Sequence, residues 1–237
     1  MRTSSLMDRF NAFTPAQLAP FIQHTRIEVG LTRDEMVAHA NEAIEYNFNA
    51  AMVPGSWVAL TAQVLAGTGI GIASALDFPT VGVMTSSGKA AEAAELVRQG
   101  ATQIDIGVQI GWLKSGMYDE FREDIAGVVR ASGVPIKVML ELPLLTEAEK
   151  EAAVELSLEA GVAFLKNASS GLIETANAAS IGFLVDRAPE GVLVKASGSI
   201  KNVDQARELL GAGAALLGTS AGIAIVTDSS DSSTLSY

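Results

Sequence analysis

Three lysines of this chain sit where apolar side chains would be expected. Lys137 in PIKVMLEL, Lys166 in VAFLKNASSG and Lys195 in VLVKAS each interrupt a β-prone run, and successive ones are 29 residues apart. An ammonium buried in apolar surroundings without a partner is strongly penalised or loses its proton. If the three share an inward register they form a row of amines, because neighbouring strands lie ~4.8 Å apart. Asp105 in QIDIG belongs to the preceding run, and Glu141 follows Lys137 by four residues, on the same face of an extended strand. Read as structure, these groups are ion pairs closing an apolar interior, or the lysines point outward between helices. Buried ion pairs stabilise poorly and need a reason to persist. Read as chemistry, an amine beside a second cation has a lowered pKa and becomes a neutral nucleophile, which is what Schiff-base formation with a carbonyl requires. Three lysines in register with Asp105 favour the second reading.

The elements that must hold these groups alternate regularly. Candidate strands are HTRIE (24–28), AAMVP (50–54), GIASAL (71–76), TQIDIGV (102–108), PIKVMLEL (135–142), AFLKNA (163–168), VLVKAS (192–197) and ALLGTS (215–220). Helical periodicity fills the gaps. Thr32 and Glu35 form a capping box ahead of a face made of Met36, Val37, Ala40 and Ile44. A later helix after Ser115 puts Tyr118, Phe121, Ile125, Val128 and Val129 on one stripe. Gly100, Gly133, Gly161 and Gly213 mark helix ends, and Thr14-Pro15 opens an extra N-terminal helix. Eight βα units with no G-x-G-x-x-G after the first strand predict a closed (β/α)8 TIM barrel over residues 1–226, followed by a flexible polar tail over 227–237.

In such barrels ligands sit at the C-terminal ends of the strands, and a phosphate is often held after strands 7 and 8. Here those loops are Ala196-Ser-Gly-Ser-Ile200 and Gly218-Thr-Ser-Ala-Gly222, small turns whose backbone N–H groups can approach an anion. Lys89, Lys114 and Lys150 fall near helix starts or on charged faces and are expected in solvent. Trp57 and Trp112 are expected to pack helices on strands.

Composition narrows the function. The 237 residues include 27 acidic and 16 basic ones, a net charge of −11, which argues against nucleic-acid or anionic-membrane partners. There is no cysteine, and the two histidines, His24 and His39, are too few for a His cluster; carboxylates could still hold Mg²⁺, but no metal is expected. Neither a membrane span nor a secretion signal is read, so a cytoplasmic location is expected.

The stretches IDIGVQIGWLKSG (104–116), PIKVMLEL, FLKNASSG, VKASGSIKNVDQARELLGAGA (194–214) and GTSAGIAIV (218–226), in this order, resemble the deoxyribose-phosphate aldolase family of class I aldolases. The resemblance covers roughly His24 to Val226. It implies that Lys166 is the Schiff-base lysine, Lys195 the neighbouring cation that depresses its pKa, Asp105 the acid/base acting through a water, and Lys137 a further member of the network. It also implies substrate and phosphate contacts from Thr25, Ser169, Gly198, Ser199, Gly218, Thr219 and Ser220, and a tail proton relay through Tyr237. The implied reaction is reversible cleavage of 2-deoxy-D-ribose 5-phosphate to acetaldehyde and D-glyceraldehyde 3-phosphate, without metal or organic cofactor, in a homo-oligomer.

This chain departs from the family pattern in places. The family's K-T-S-T-G becomes Lys166-Asn-Ala-Ser-Ser-Gly171, Ser199 replaces the second of two glycines, Ala221 stands for a serine, Gln23 for an aspartate, and FPTVGVMTSSG (78–88) is one residue longer. These changes touch the grip on the substrate more than the amine chemistry. A related Schiff-base aldolase with a different acceptor, larger or unphosphorylated, is therefore the alternative. A silent sugar-phosphate-binding barrel, or an isomerase using His24 or Glu141 as base, are the readings from other classes.

Overall fold

The computed structural model describes residues 2–229. Eight parallel strands close into one barrel in sequence order: β1 (Ile22–Thr25), β2 (Ala50–Met52), β3 (Gly71–Leu76), β4 (Gln103–Gly107), β5 (Ile136–Met139), β6 (Phe164–Lys166), β7 (Leu193–Ser197) and β8 (Leu216–Thr219). β8 pairs back onto β1 through Ile22 opposite Leu217 and His24 opposite Thr219. The expected (β/α)8 TIM barrel is the observed fold.

Around it run α1 (Arg2–Ala12), α2 (Arg33–Glu45), α3 (Val58–Val64), α4 (Ser86–Gln99), α5 (Ile110–Lys114), α6 (Tyr118–Ser132), α7 (Glu147–Glu159), α8 (Ala178–Val185), α9 (Val203–Gly211) and α10 (Gly222–Thr227). The Thr32 capping box forms as read: the Thr32 N–H donates to Glu35 Oε2 at 2.8 Å and the Glu35 N–H to Thr32 Oγ1 at 3.4 Å. Thr146 and Glu149 build a second one at the head of α7. Gly100 and Gly133 end α4 and α6 in the left-handed region, where a side chain would be strained. The extra N-terminal helix is two elements, α1 and a 3-10 helix over Pro15–Phe21. Phe10 joins them through edge contacts with Phe13 and Phe21, with ring centroids 5.4 and 5.2 Å apart.

Four readings need correction. β1 begins two residues earlier than HTRIE because Gln23 points into the barrel and is fully buried; a polar side chain that the interior satisfies looks like a strand end in sequence. β5 stops at Met139, and the chain then turns through Glu141 at φ 51, so Glu141 does not share a strand face with Lys137. The buried face of α2 carries Met36, His39, Ala40 and Ala43, and Ile44 is exposed. In α6, Phe121, Ile125 and Val128 are buried but Tyr118 is exposed. Tyr237 and the predicted tail from residue 230 onward lie outside the described residues.

Candidate active site

β4, β5, β6 and β7 aim Asp105, Lys137, Lys166 and Lys195 into the barrel. The register sets Asp105 opposite Lys137 and Lys166 opposite Lys195, but Lys166 pairs with Met139, two residues beyond Lys137. The expected row of amines is therefore staggered, with Lys137 deeper. Lys166 donates to Asp105 Oδ2 at 2.9 Å and Lys195 donates to the same oxygen at 2.7 Å. Lys137 Nζ lies 3.3 Å from Oδ1 as an ion pair and 5.4 Å from the centre of the Phe164 ring, a cation–π distance. Lys137 and Asp105 are fully buried, whereas Lys166 is 5% exposed and lines the cavity at the barrel mouth.

Among the described residues Asp105 is the only carboxylate within ion-pair distance of these amines. Three ammoniums against one carboxylate leave excess positive charge in an apolar barrel, and the titration equilibria respond. Burial, reinforced by Lys166 and Lys137 and opposed by Asp105, pulls Lys195 well below the ordinary lysine range. Burial also lowers Lys137. Burial by itself would raise Asp105, but the charges of Lys166, Lys195 and Lys137 outweigh it and hold the carboxyl below the usual range. Lys195 Nζ also donates to Gln23 Oε1. Gln23 Nε2 donates in turn to Gln103 Oε1 at 2.6 Å, so the residue standing where the family pattern has aspartate offers Lys195 a neutral acceptor.

Thr25, Ser169, Gly198, Ser199, Gly218, Thr219 and Ser220 all line the same cavity as Lys166. Gly198 sits at φ +120, and a Cβ there would meet the Glu174 carbonyl oxygen at 2.0 Å; only glycine fits this turn. Ser199 takes φ 50, so the serine keeps a glycine-like turn. At Gly218 the missing side chain leaves room for the Lys195 stem, whose Cε would lie 2.9 Å from a Cβ. Thr219 Oγ1 donates to the Ile200 carbonyl at 2.6 Å and accepts from the Ala221 N–H at 2.9 Å, tying the loops after β7 and β8 together. Lys201 also lines the cavity and was missed in the sequence. Its position directly after the Gly198 turn was the available signal. Phe78, Met52 and Met139 form an apolar wall that no motif announced.

The other assigned residues divide. Glu141 does not join the amine cluster; its Oε1 accepts the Ser169 N–H at 2.9 Å, and burial pushes its carboxyl up against that bond. Asn167, in place of a motif hydroxyl, is fully buried and stitches β6 to β7: Nδ2 donates to the Ser197 carbonyl at 3.0 Å and Oδ1 accepts the Ser197 N–H at 2.9 Å. Ser169 and Ser170 supply hydroxyls to the cavity instead. Lys89 is not in solvent. It is fully buried, donates to the Gly107 carbonyl and to Asp124 Oδ2 at 2.8 Å each, and lies 3.2 Å from Asp77 Oδ2. Asp77 accepts N–H bonds from Gly82, Val83 and Met84, so this cluster clamps the loop that carries Phe78. Lys114 and Lys150 make surface pairs with Glu149 and Glu147. Trp57 packs against the core as expected. His24 faces α2, not the cavity, which removes one of the bases an isomerase would need.

The fold and site thus define a class: a (β/α)8-barrel enzyme with amines and a carboxylate converging beneath an open mouth. No family model matches the chain. A deoxyribose-phosphate aldolase of Thermosynechococcus vestitus is 41% identical over 203 residues, 86% of this chain and 93% of the relative. One from Methanothermobacter thermautotrophicus is 38% identical over 221 residues, 93% and 98% of the two chains. The tetrameric deoxyribose phosphate aldolase of Aeropyrum pernix superposes with a TM-score of 0.85 at 25% identity, covering 96% of each chain. The chain belongs to the deoxyribose-phosphate aldolase family and is an aldolase, a lyase of carbon–carbon bonds. Among the described residues no helix is long and apolar enough to cross a membrane.

Proposed function

We propose that the chain cleaves and forms 2-deoxy-D-ribose 5-phosphate, with acetaldehyde and D-glyceraldehyde 3-phosphate as partners, through a Schiff base on Lys166. The observation that carries this reading is that the Lys166 amine, the small-residue turns at Gly198 and Gly218, and the Lys201 cation all face one cavity.

In the synthetic direction the free amine of Lys166 adds to the acetaldehyde carbonyl, forming a C–N bond and a carbinolamine. Loss of water gives the iminium, and loss of a methyl proton gives the enamine. The enamine carbon attacks the aldehyde carbon of glyceraldehyde 3-phosphate, whose oxygen takes up a proton, and water then hydrolyses the new iminium and frees the lysine. Asp105 Oδ2 bridges Lys166 and Lys195, which places it to move protons through a water at the carbinolamine and enamine steps, with Lys195 as the neighbouring cation. Lys137 neutralises the inner carboxylate oxygen.

Backbone N–H groups of the Gly198 turn and the Lys201 ammonium receive the phosphate, with Thr25 and Ser169 facing the sugar hydroxyls. The proposed assembly is a homo-oligomer, as in the tetrameric Aeropyrum pernix relative. Acetaldehyde release from 2-deoxyribose 5-phosphate tests the reading. The native chain should release it and Lys166→Met should not, whereas turnover by Lys166→Met would overturn it. Turnover of an unphosphorylated or longer aldol in place of this substrate would assign the site to a different acceptor.

A further inference from the structure

Outside the cavity, β1 and α2 bring together both histidines of the chain. Gln23 points into the barrel, so His24 points out, where α2 presents His39 and Glu42, three residues apart on one face. We propose that His24 Nε2, His39 Nδ1 and Glu42 Oε2 form a binding site for a divalent transition-metal cation, zinc by its donor set, on the outer wall of the barrel.

Glu42 Oε2 lies 3.0 Å from His24 Nε2 and 3.7 Å from His39 Nδ1, and all three ligand atoms lie within 4.8 Å of one another. A tetrahedral zinc with bonds of ~2.0–2.1 Å needs ligand atoms about 3.4 Å apart. The observed separations straddle that figure, and His39 must rotate out of its stack on His24 for both imidazole lone pairs to point at one ion.

The second observation is an unmet need. His39 is fully buried, yet neither ring nitrogen has a hydrogen-bond partner among the described residues. The hydrogen bond between His24 Nε2 and Glu42 leaves His24 Nδ1 and both nitrogens of His39 without one among the described residues. An orphaned buried polar group is costly, and a cation would give His39 Nδ1 a partner.

The first ligand is already fixed. The His24 ring stacks between His39 and Phe48, with centroids 4.5 and 4.8 Å away, and lies so close to Gly222 that a Cβ there would meet Nδ1 at 2.7 Å. The Glu42 side chain is 33% exposed, which gives a cation an entry path and leaves room for a water ligand. Burial draws His24 toward its neutral form, and the hydrogen bond from His24, with the His39 ring close by, holds Glu42 at about 2. Glu42 is therefore ionised at neutral pH, and ligation by His24 Nε2 needs its ring proton on Nδ1. Two imidazoles and one carboxylate select Zn²⁺, Co²⁺ or Ni²⁺ over Mg²⁺ and Ca²⁺, which favour all-oxygen sets. Bound there, the ion would pin α2 to the strand that carries Thr25 into the cavity.

The test is titration of the chelator-treated full chain with Co²⁺, read by its visible ligand-field bands, then displacement by Zn²⁺ and a Zn²⁺ competition against a chelating dye. One equivalent should bind, Zn²⁺ should displace Co²⁺, and the melting midpoint should rise with metal. His39→Leu and Glu42→Gln should each weaken binding at least tenfold while both still fold and trap acetaldehyde on Lys166. If His39→Leu does not fold, the half-exposed Glu42→Gln carries the comparison. No stoichiometric binding, equal binding of Mg²⁺, or binding unchanged in the folded variants would overturn the site, the last placing the ion on surface carboxylates.

Discussion

Replacing Lys89 by methionine removes a charge from the clamp beneath the Phe78 loop and keeps an unbranched apolar stem of similar length. Asp77 and Asp124, whose side chains are fully buried, are then left facing each other without their shared cation, and the Gly107 carbonyl loses its donor. Removing one partner from a buried ion pair costs about 3–5 kcal/mol, because the remaining charge stays desolvated. For a chain of this length each kcal/mol moves the melting midpoint by roughly 2–4 °C, so Lys89→Met should melt about 6–20 °C lower. The assay is thermal denaturation followed by circular dichroism. Asp77 still receives three backbone N–H bonds, so the lone charge of Asp124 dominates the loss. The double variant Lys89→Met/Asp124→Asn should recover part of it. Because Asp77 anchors the loop that carries Phe78 into the cavity wall, KM for 2-deoxyribose 5-phosphate should rise more than kcat falls. A drop under about 3 °C, or a double variant no more stable than the single, would refute the reasoning that Lys89 is a buried structural cation.

The remaining predictions concern the cavity. Gly198→Ala forces a Cβ against the Glu174 carbonyl at φ +120 and should raise KM for the phosphorylated substrate more than tenfold while leaving acetaldehyde trapping on Lys166 intact, as steady-state kinetics and reductive trapping can show. Lys201→Met should cost a charge-assisted contact of about 1.5–3 kcal/mol, a KM increase of roughly 10- to 150-fold, with little change for an unphosphorylated aldol. Asp105→Asn should lower kcat by about 10²- to 10⁴-fold, the usual range for a lost acid/base group. Its stability effect has a defined sign. The folded pKa of Asp105 lies below its ordinary 3.8, so its contribution is present above that value and is lost as pH falls through the folded pKa. The gap in urea midpoint between the native chain and Asp105→Asn should be full at neutral pH and narrow below 3.8.

Much of the site could be read in the sequence, for a physical reason. A lysine inside an apolar strand has few explanations, and period-2 geometry tells which neighbours share its face, so Lys137, Lys166, Lys195 and Asp105 stood out together and do converge. The Gly198 and Gly218 turns were legible as small-residue loops after β7 and β8, and close packing leaves no room for a Cβ at either. Glu141 was misplaced because strand arithmetic holds only while the chain stays in the sheet, and it leaves after Met139. Lys89 looked solvated because a lysine in the first turn of a helix usually is; its buried partners, Asp77 and Asp124, come from a loop and from α6, 12 and 35 positions away. Gln23 looked like a strand end because its partners, Lys195 and Gln103, come from β7 and β4. His24 and His39 were read as too few for a cluster, and that the two rings meet in the folded molecule is a contact that no local pattern encodes.

The most direct test of the central claim is borohydride trapping with acetaldehyde and, separately, with 2-deoxyribose 5-phosphate, with the reduced adduct located by peptide mass spectrometry. The account predicts a single adduct on Lys166 from both compounds, and none on Lys137 or Lys195. An adduct on a different lysine, or no adduct at Lys166 while the chain still turns over substrate, would contradict it.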